Sequence, residues 1–128
     1  MLVVNTSVGP SAIQGVGLFA AEPIHSGTVI ARWDPSFLWS CTEEQLQFFP
    51  GITRTFIEKY GWRAFGRWQL SVDNSRFLNH SADPNTSVTA SADCPFVMTA
   101  IRDIALGEEI TEDYRQFDPD FSTYGLEW

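Results

Sequence analysis

The sequence predicts a mainly β fold carrying a small helical insert. Three observations lead there. Six short segments are rich in β-branched or aromatic residues and bounded by Gly, Pro, Ser or Asp. Thr42-Glu43-Glu44-Gln45 has the pattern of a capping box and runs into apolar residues. Seven Pro and nine Gly are spread along 128 residues, which leaves room for many turns and few long elements.

The six expected strands cover residues 2–5, 17–20, 28–33, 68–72, 86–90 and 96–101. Between the third and fourth, Leu46, Phe48 and Phe49 extend the capped helix until Pro50 and Gly51 interrupt it. A second helix is expected over residues 54–60, with Phe56, Ile57 and Tyr60 on one face. No internal repeat or linker breaks the chain. The expectation is one domain over residues 1–128 with a single core, an insert at about 41–61 and a closing segment at about 115–128.

Charge narrows the partners. Sixteen acidic residues against eight basic ones give a formal net charge of −8, which disfavours a phosphate-tracking nucleic-acid binder and attracts a basic one. A Lys-rich protein or peptide fits that field, with no nucleic acid and no membrane as partner. Cys41 and Cys94 lack C-x-x-C spacing, so neither a disulfide framework nor a thiolate metal site is expected. No apolar run reaches membrane-spanning length and the start lacks signal-peptide character, so the expected setting is intracellular and soluble, cytoplasmic or nuclear.

Gly15-Val16-Gly17-Leu18-Phe19-Ala20 satisfies G-x-G-x-x-A, the dinucleotide fingerprint. That fingerprint needs a helix opening at the glycines, and Pro23 and Gly27 leave no room for one. What survives is a turn whose small residues admit another group close to the backbone. Read alone, it is an ordinary hairpin turn.

Two further blocks stand out: Arg76-Phe77-Leu78-Asn79-His80-Ser81-Ala82-Asp83-Pro84-Asn85, and Gly107-Glu108-Glu109-Ile110-Thr111-Glu112-Asp113-Tyr114. Individually these residues have plain readings: turn chemistry for Asn79 and His80, a solvated turn for Glu108 and Glu109, a core-edge aromatic for Tyr114. His25, outside both blocks, reads as a surface residue.

Together, in this order, the blocks resemble the signature of the SET-domain protein-lysine methyltransferases, R-F-x-N-H-S-x-x-P-N followed by G-E-E-[IL]-T-x-D-Y. The resemblance runs from about Gly15 to Tyr114. It implies a SET-type β fold of short sheets in which the segment 81–85 threads beneath the C-terminal motif in a pseudoknot-like crossing. It implies S-adenosyl-L-methionine as cofactor, contacted by Gly15, Val16, Gly17, Arg76, Asn79 and His80. It implies methyl transfer to a protein lysine, histone-like or otherwise basic, with Tyr114 catalytic and Trp33, Glu112 and Val88 along the substrate channel. A catalytically weak peptide-binding module and a non-protein amine acceptor are the alternatives.

Tyr114 suits the role chemically. Displacement at a sulfonium methyl by an amine needs alignment more than a nucleophile of the enzyme's own, and a phenol oxygen can orient the nitrogen. The amine must first lose a proton from an ordinary pKa near 10.4.

Three departures from the family pattern bear on the site. Trp33-Asp34-Pro35 stands where many members have Tyr followed by Gly and Glu. Glu112 occupies the position two before the tyrosine that is usually Phe or Tyr and is tied to the number of methyl groups added. The zinc-binding cysteine cluster that often follows the domain is replaced by an aromatic and acidic segment, residues 117–128, expected to close the channel by packing, with a disordered acidic tail as the alternative. An ionised Glu112 in the channel would hold the substrate as ammonium, so its replacement by Gln is expected to raise activity near neutral pH. The competing placement turns Glu112 outward, paired with Arg102 or Arg115.

Overall fold

The computed structural model describes residues 1–90 and 93–118. Ten short strands form four small sheets, with two α-helices between the fourth and fifth strands. The expected mainly β architecture with a helical insert is what forms.

The first sheet is the hairpin β1 (Thr6–Pro10) and β2 (Val16–Ala20), antiparallel from Thr6↔Ala20 to Pro10↔Val16. Its turn is closed by the Ser11 N–H donating to the Gly15 carbonyl at 2.9 Å, with Gly15 at φ +48°. The second sheet has the order β3–β9–β8, from β3 (Val29–Arg32), β9 (Val97–Ala100) and β8 (Thr86–Thr89). Leu18, Ile30, Met98, Ile104 and Ile110 are fully buried between these two sheets and their loops.

The third sheet, order β4–β6–β5, is built from β4 (Leu38–Cys41), β6 (Arg67–Ser71) and β5 (Trp62–Ala64). It carries α1 (Glu43–Leu46) and α2 (Gly51–Tyr60), and buries a second apolar cluster of Cys41, Leu46, Ile57 and Trp68 with Phe49 against it. The described residues therefore hold two apolar clusters where one core was expected. The helical insert is part of a lobe that begins at β4 and ends at β6.

The capping box forms as the sequence predicts. The Thr42 hydroxyl accepts from the Gln45 N–H at 3.0 Å, and the Gln45 side chain accepts from the Thr42 N–H at 2.9 Å. The helix then lasts one turn. The second helix starts at Gly51, three residues before the expected 54, because the Pro50 carbonyl already accepts from Thr53 and Arg54.

The strand expected over 2–5 is not formed; only Leu2 makes a bridge, to Ala31. Its N–H goes to the Asp73 carboxylate at 2.8 Å, while the Val3 N–H donates to the Ile30 carbonyl at 2.9 Å and the Arg32 N–H to the Met1 carbonyl at 3.0 Å, so a side chain and a short backbone pairing with β3 together tie the N-terminal segment down. The first strand lies one segment later, in Thr-Ser-Val-Gly-Pro, whose Gly and Pro mask its β character. β4, β5 and the two-residue strands β7 (Asn79–His80) and β10 (Thr111–Glu112) were also beyond sequence patterning. No helix among the described residues is long and apolar enough to cross a membrane. The expected closing segment lies outside the described residues from 119 onward.

Candidate functional site

Both sequence blocks meet in the fourth sheet. β7 and β10 pair in parallel, Thr111 opposite Asn79 and Glu112 opposite His80. The loop between β7 and β8 is fastened to the same strand by Asn85. Its side-chain amide donates to the Glu109 carbonyl at 2.8 Å, and its Oδ1 accepts from the Thr111 N–H at 2.9 Å. Thr86 adds a hydroxyl bond to the Thr111 carbonyl at 2.7 Å. Asn85 and Thr86 are fully buried. Buried polar groups of this kind are tolerated because every one is paired, and the pairing fixes the register of the crossing.

Asn79 faces the opposite way, toward the β1–β2 turn. Its Nδ2 donates to Glu109 Oε1 at 2.9 Å, to the Val16 carbonyl at 3.1 Å and to the Gln14 carbonyl at 3.3 Å. Glu109 is held in turn by the Ser11 hydroxyl at 2.7 Å. The glycine turn is thereby pinned to the crossing. Beside it opens a concavity lined by Gly15, Val16, Arg76, Asn79, Tyr114 and, from α2, Lys59 and Tyr60.

Tyr114 begins the turn after β10. Its phenol donates to the Leu78 carbonyl, which leaves the oxygen's lone pairs to accept, and its backbone N–H donates to His80 Nδ1 at 3.2 Å. His80 therefore carries its ring proton on Nε2. Burial holds the imidazole pKa below its ordinary value, against the pull of Asp113. Burial first, and the nearby Glu112 second, push the Tyr114 phenol far above its ordinary pKa. It stays a neutral phenol.

On its other side Tyr114 faces a second cavity, lined by Trp33, Trp62, Phe96, Phe117 and Glu112. The rings touch in sequence: Trp33 to Trp62 at 6.3 Å, Trp62 to Phe96 at 5.7 Å, Phe96 to Phe117 at 5.8 Å and Phe117 to Tyr114 at 5.9 Å between centroids. Lys59, Tyr60, Arg76, Leu78 and Tyr114 line both cavities, so Tyr114 stands on their common wall. Trp33, Trp62, Phe96 and Phe117 also border an open groove along β5 and β8 that includes Val88.

A family model of the SET domain matches residues 15–115. This chain belongs to the SET-domain family. A histone-lysine N-methyltransferase of Cryptococcus neoformans, named as H3 lysine-4 specific, is 28% identical over 111 residues, and the Arabidopsis thaliana histone-lysine N-methyltransferase ATX2 is 27% identical over 127. These alignments take in 82% and 88% of this chain but only 8% and 11% of the relatives, so the chain spans a small part of their length. Among solved structures, the Neurospora SET-domain protein DIM-5, a histone lysine methyltransferase, superposes with a TM-score of 0.61 at 21% identity, over 88% of this chain and 53% of that one. Chaetomium thermophilum Polycomb Repressive Complex 2, solved in an apo autoinhibited state, gives 0.68 at 23% identity, over 94% and 16%. Those two likenesses show the fold.

In this SET domain the six residues expected at the cofactor divide into two groups. Gly15, Val16, Arg76 and Asn79 line the first cavity together. Gly17 and His80 are buried behind it: Gly17 against Glu109, His80 under the Tyr114 backbone. Of the channel residues, Trp33 lines both the aromatic cavity and the groove, Glu112 the cavity alone and Val88 the groove alone. Glu112 does not turn outward. Arg102 pairs with Glu108 at 2.6 Å and Arg115 with Asp113 at 2.7 Å. The groove carries Arg63 and Arg67 beside Glu43, so the acidic excess of the whole chain is not concentrated there. His25 is exposed, as expected.

Sequence reasoning missed Lys59, Tyr60, Trp62 and Phe96 as lining residues, and Glu109 as the anchor of the glycine turn, while Phe117 belongs to the segment it expected to close the channel. For Glu109 a signal existed: a glycine required by close approach implies a partner, but not which one.

Proposed function

We propose that this SET domain transfers a methyl group from S-adenosylmethionine to the ε-amine of a lysine in a basic protein, with Tyr114 as the catalytic residue. The observation that carries the reading is the position of the Tyr114 phenol on the wall shared by two cavities, one fit for a cofactor and one for an alkylamine. Names of the relatives support histones as the substrate class.

The residues of the first cavity suit the cofactor. The Arg76 guanidinium, whose Nε is buried without a hydrogen-bond partner among the described residues, matches a carboxylate. A Cβ at Gly15 would meet nothing within 4 Å, so this end of the turn is open to a ligand. Gly15, Val16, Arg76 and Asn79 would hold the group, and His80 positions the backbone of Tyr114. Bound there, the cofactor would supply an electrophilic methyl on a sulfonium.

The chain's own part is alignment and dehydration. Trp33, Trp62, Phe96 and Phe117 exclude water from the alkyl chain of the acceptor and present ring faces to its charged end. The phenol oxygen of Tyr114, its proton engaged by Leu78, accepts an N–H of the acceptor and turns the nitrogen lone pair toward the cofactor side. Incubation with labelled S-adenosylmethionine and a Lys-rich peptide pool tests the reading, with mass spectrometry of the products. Methyllysine is the expected result. Tight cofactor binding without transfer would favour the peptide-binding module instead.

A further inference from the structure

Glu112 is a carboxyl that the surrounding protein does not use. The residue is 7% exposed, and its Oε2 is buried with no hydrogen-bond partner among the described residues. Burying such a group unpaired costs free energy, and here nothing in the crossing needs it: the register is already fixed by Asn85 and Thr86. Its pKa is pushed up to about 8 by burial. Yet Glu112 lines a cavity walled by four aromatic rings and closed by the Tyr114 phenol. A buried carboxyl with an unpaired oxygen among ring faces is the chemistry that receives an alkylammonium.

We propose that Glu112 is the cation anchor of the acceptor site: its carboxylate pairs with the incoming lysine ammonium and takes one proton from it before methyl transfer. The second half rests on the methyl-transfer reading; the first does not. In the proton step an N–H bond breaks and an O–H bond forms on Glu112, the electron pair stays on nitrogen, and the proton later leaves to water.

A carboxyl in the free protein and an ammonium in solution together hold one proton too many for an ion pair at neutral pH, and releasing it from Glu112 at pH 7 costs a factor of about ten, given a pKa of about 8. The ion pair is then the resting bound form, because the ordinary lysine pKa near 10.4 lies above that of Glu112. Burial narrows that gap to about two to three pKa units, against about six for a carboxyl at its ordinary 4.5, which brings the internal proton transfer within reach. The expectation drawn from the sequence assumed a carboxylate already ionised in the free protein.

Other charged groups face the cavity, namely the Met1 amino group, Arg32, Asp34, Glu58, Lys59, Arg76 and Asp118, and His80 stands opposite Glu112 across the strand pair. All of them remain in a Glu112→Gln variant, which isolates the one carboxyl.

n-Butylammonium, the lysine side chain without its backbone, is the probe, with n-butanol as its uncharged counterpart. Each is titrated into the chain without cofactor, read by tryptophan fluorescence, since Trp33 and Trp62 line the cavity. Wild-type affinity for the amine should rise about tenfold from pH 7 to 9, following ionisation of a group with pKa about 8. Glu112→Gln should lose at least tenfold at pH 9 and keep its affinity for butanol. Equal amine affinity in the two proteins overturns the proposal. On the wild type at pH 7, infrared difference spectra should show the protonated carboxyl band giving way to a carboxylate band as the amine binds, since the ion pair is the resting bound form, and a protonated band that persists at saturation overturns the anchor half of the proposal. If the wild type transfers no methyl but binds the amine in this way, the methyl-transfer reading falls and the anchor stands. Where turnover exists, the rising limb of the single-turnover rate should move to higher pH in Glu112→Gln.

Discussion

A Cβ on Gly17 would stand 2.3 Å from Oε1 of Glu109 and 2.9 Å from its Cδ. The carboxylate cannot retreat cheaply, because Ser11 and Asn79 both donate to it. Gly17→Ala should therefore destabilise the chain by about 1–3 kcal/mol through overpacking and loosen the glycine turn. Thermal melts of Gly17→Ala, Glu109→Ala and the double variant check this; partial recovery in the double variant is expected, and additive losses would break the assigned contact.

Asn79→Ala removes the donor that Glu109, Val16 and Gln14 share. A stability loss of about 1–3 kcal/mol is expected, with cofactor affinity falling roughly ten- to a hundredfold because the turn beside the cavity is released. Calorimetry on protein shown to be folded separates the two effects. An unchanged affinity would remove Asn79 from the cofactor site.

Tyr114→Phe deletes one oxygen and keeps the ring against His80 and Phe117. Turnover should drop by about two orders of magnitude or more while cofactor affinity stays near that of the wild type. The Leu78 carbonyl loses its donor, so a stability cost of about 1 kcal/mol should accompany it. Near-normal turnover would leave Tyr114 a packing residue.

Stability should depend on pH through Glu112 in an unusual direction. Its folded pKa is raised from the ordinary 4.5 to about 8, so the folded state binds the proton more tightly than the unfolded state. Its contribution is complete below about pH 4.5 and is lost as pH rises toward 8. His80 acts oppositely, since its pKa is lowered from 6.5 and stability falls as pH drops through that value. The difference in melting temperature between Glu112→Gln and wild type should thus grow in favour of the variant from pH 5 to 8. A pH-independent difference would mean that Glu112 is solvated.

The β5–β6 hairpin turns on Phe65-Gly66, with Phe65 at φ 55° and 70% exposed. A bulky side chain in the left-handed region costs about 1–2 kcal/mol, where Asn is tolerated. Its ring meets Trp33 at 5.7 Å, at the mouth of the groove. Phe65→Asn should leave stability equal or raise it by about 1 kcal/mol, measured by denaturant midpoint. A loss of more than that would mean the Trp33 contact outweighs the strain.

The sequence by itself determined the family, the capped helix and the residues of two motifs, because these depend on local chemistry: Thr42 and Gln45 cap within one turn, and Asn79, His80 and Tyr114 stand in a fixed order. It could not see β7 and β10, since two-residue strands have no periodicity and exist only because each supplies the other's partners. It placed the first strand at residues 2–5 by propensity, while the hairpin formed where the Ser11–Gly15 turn set the register. Nor could it see that Gly17 packs against Glu109 and that His80 lies under the Tyr114 backbone, since both contacts are long-range. Glu112 shows the division most sharply. Its identity was legible and its charge was not, because the ionisation of a carboxyl is set by the water it keeps, and only the tertiary structure decides how much that is.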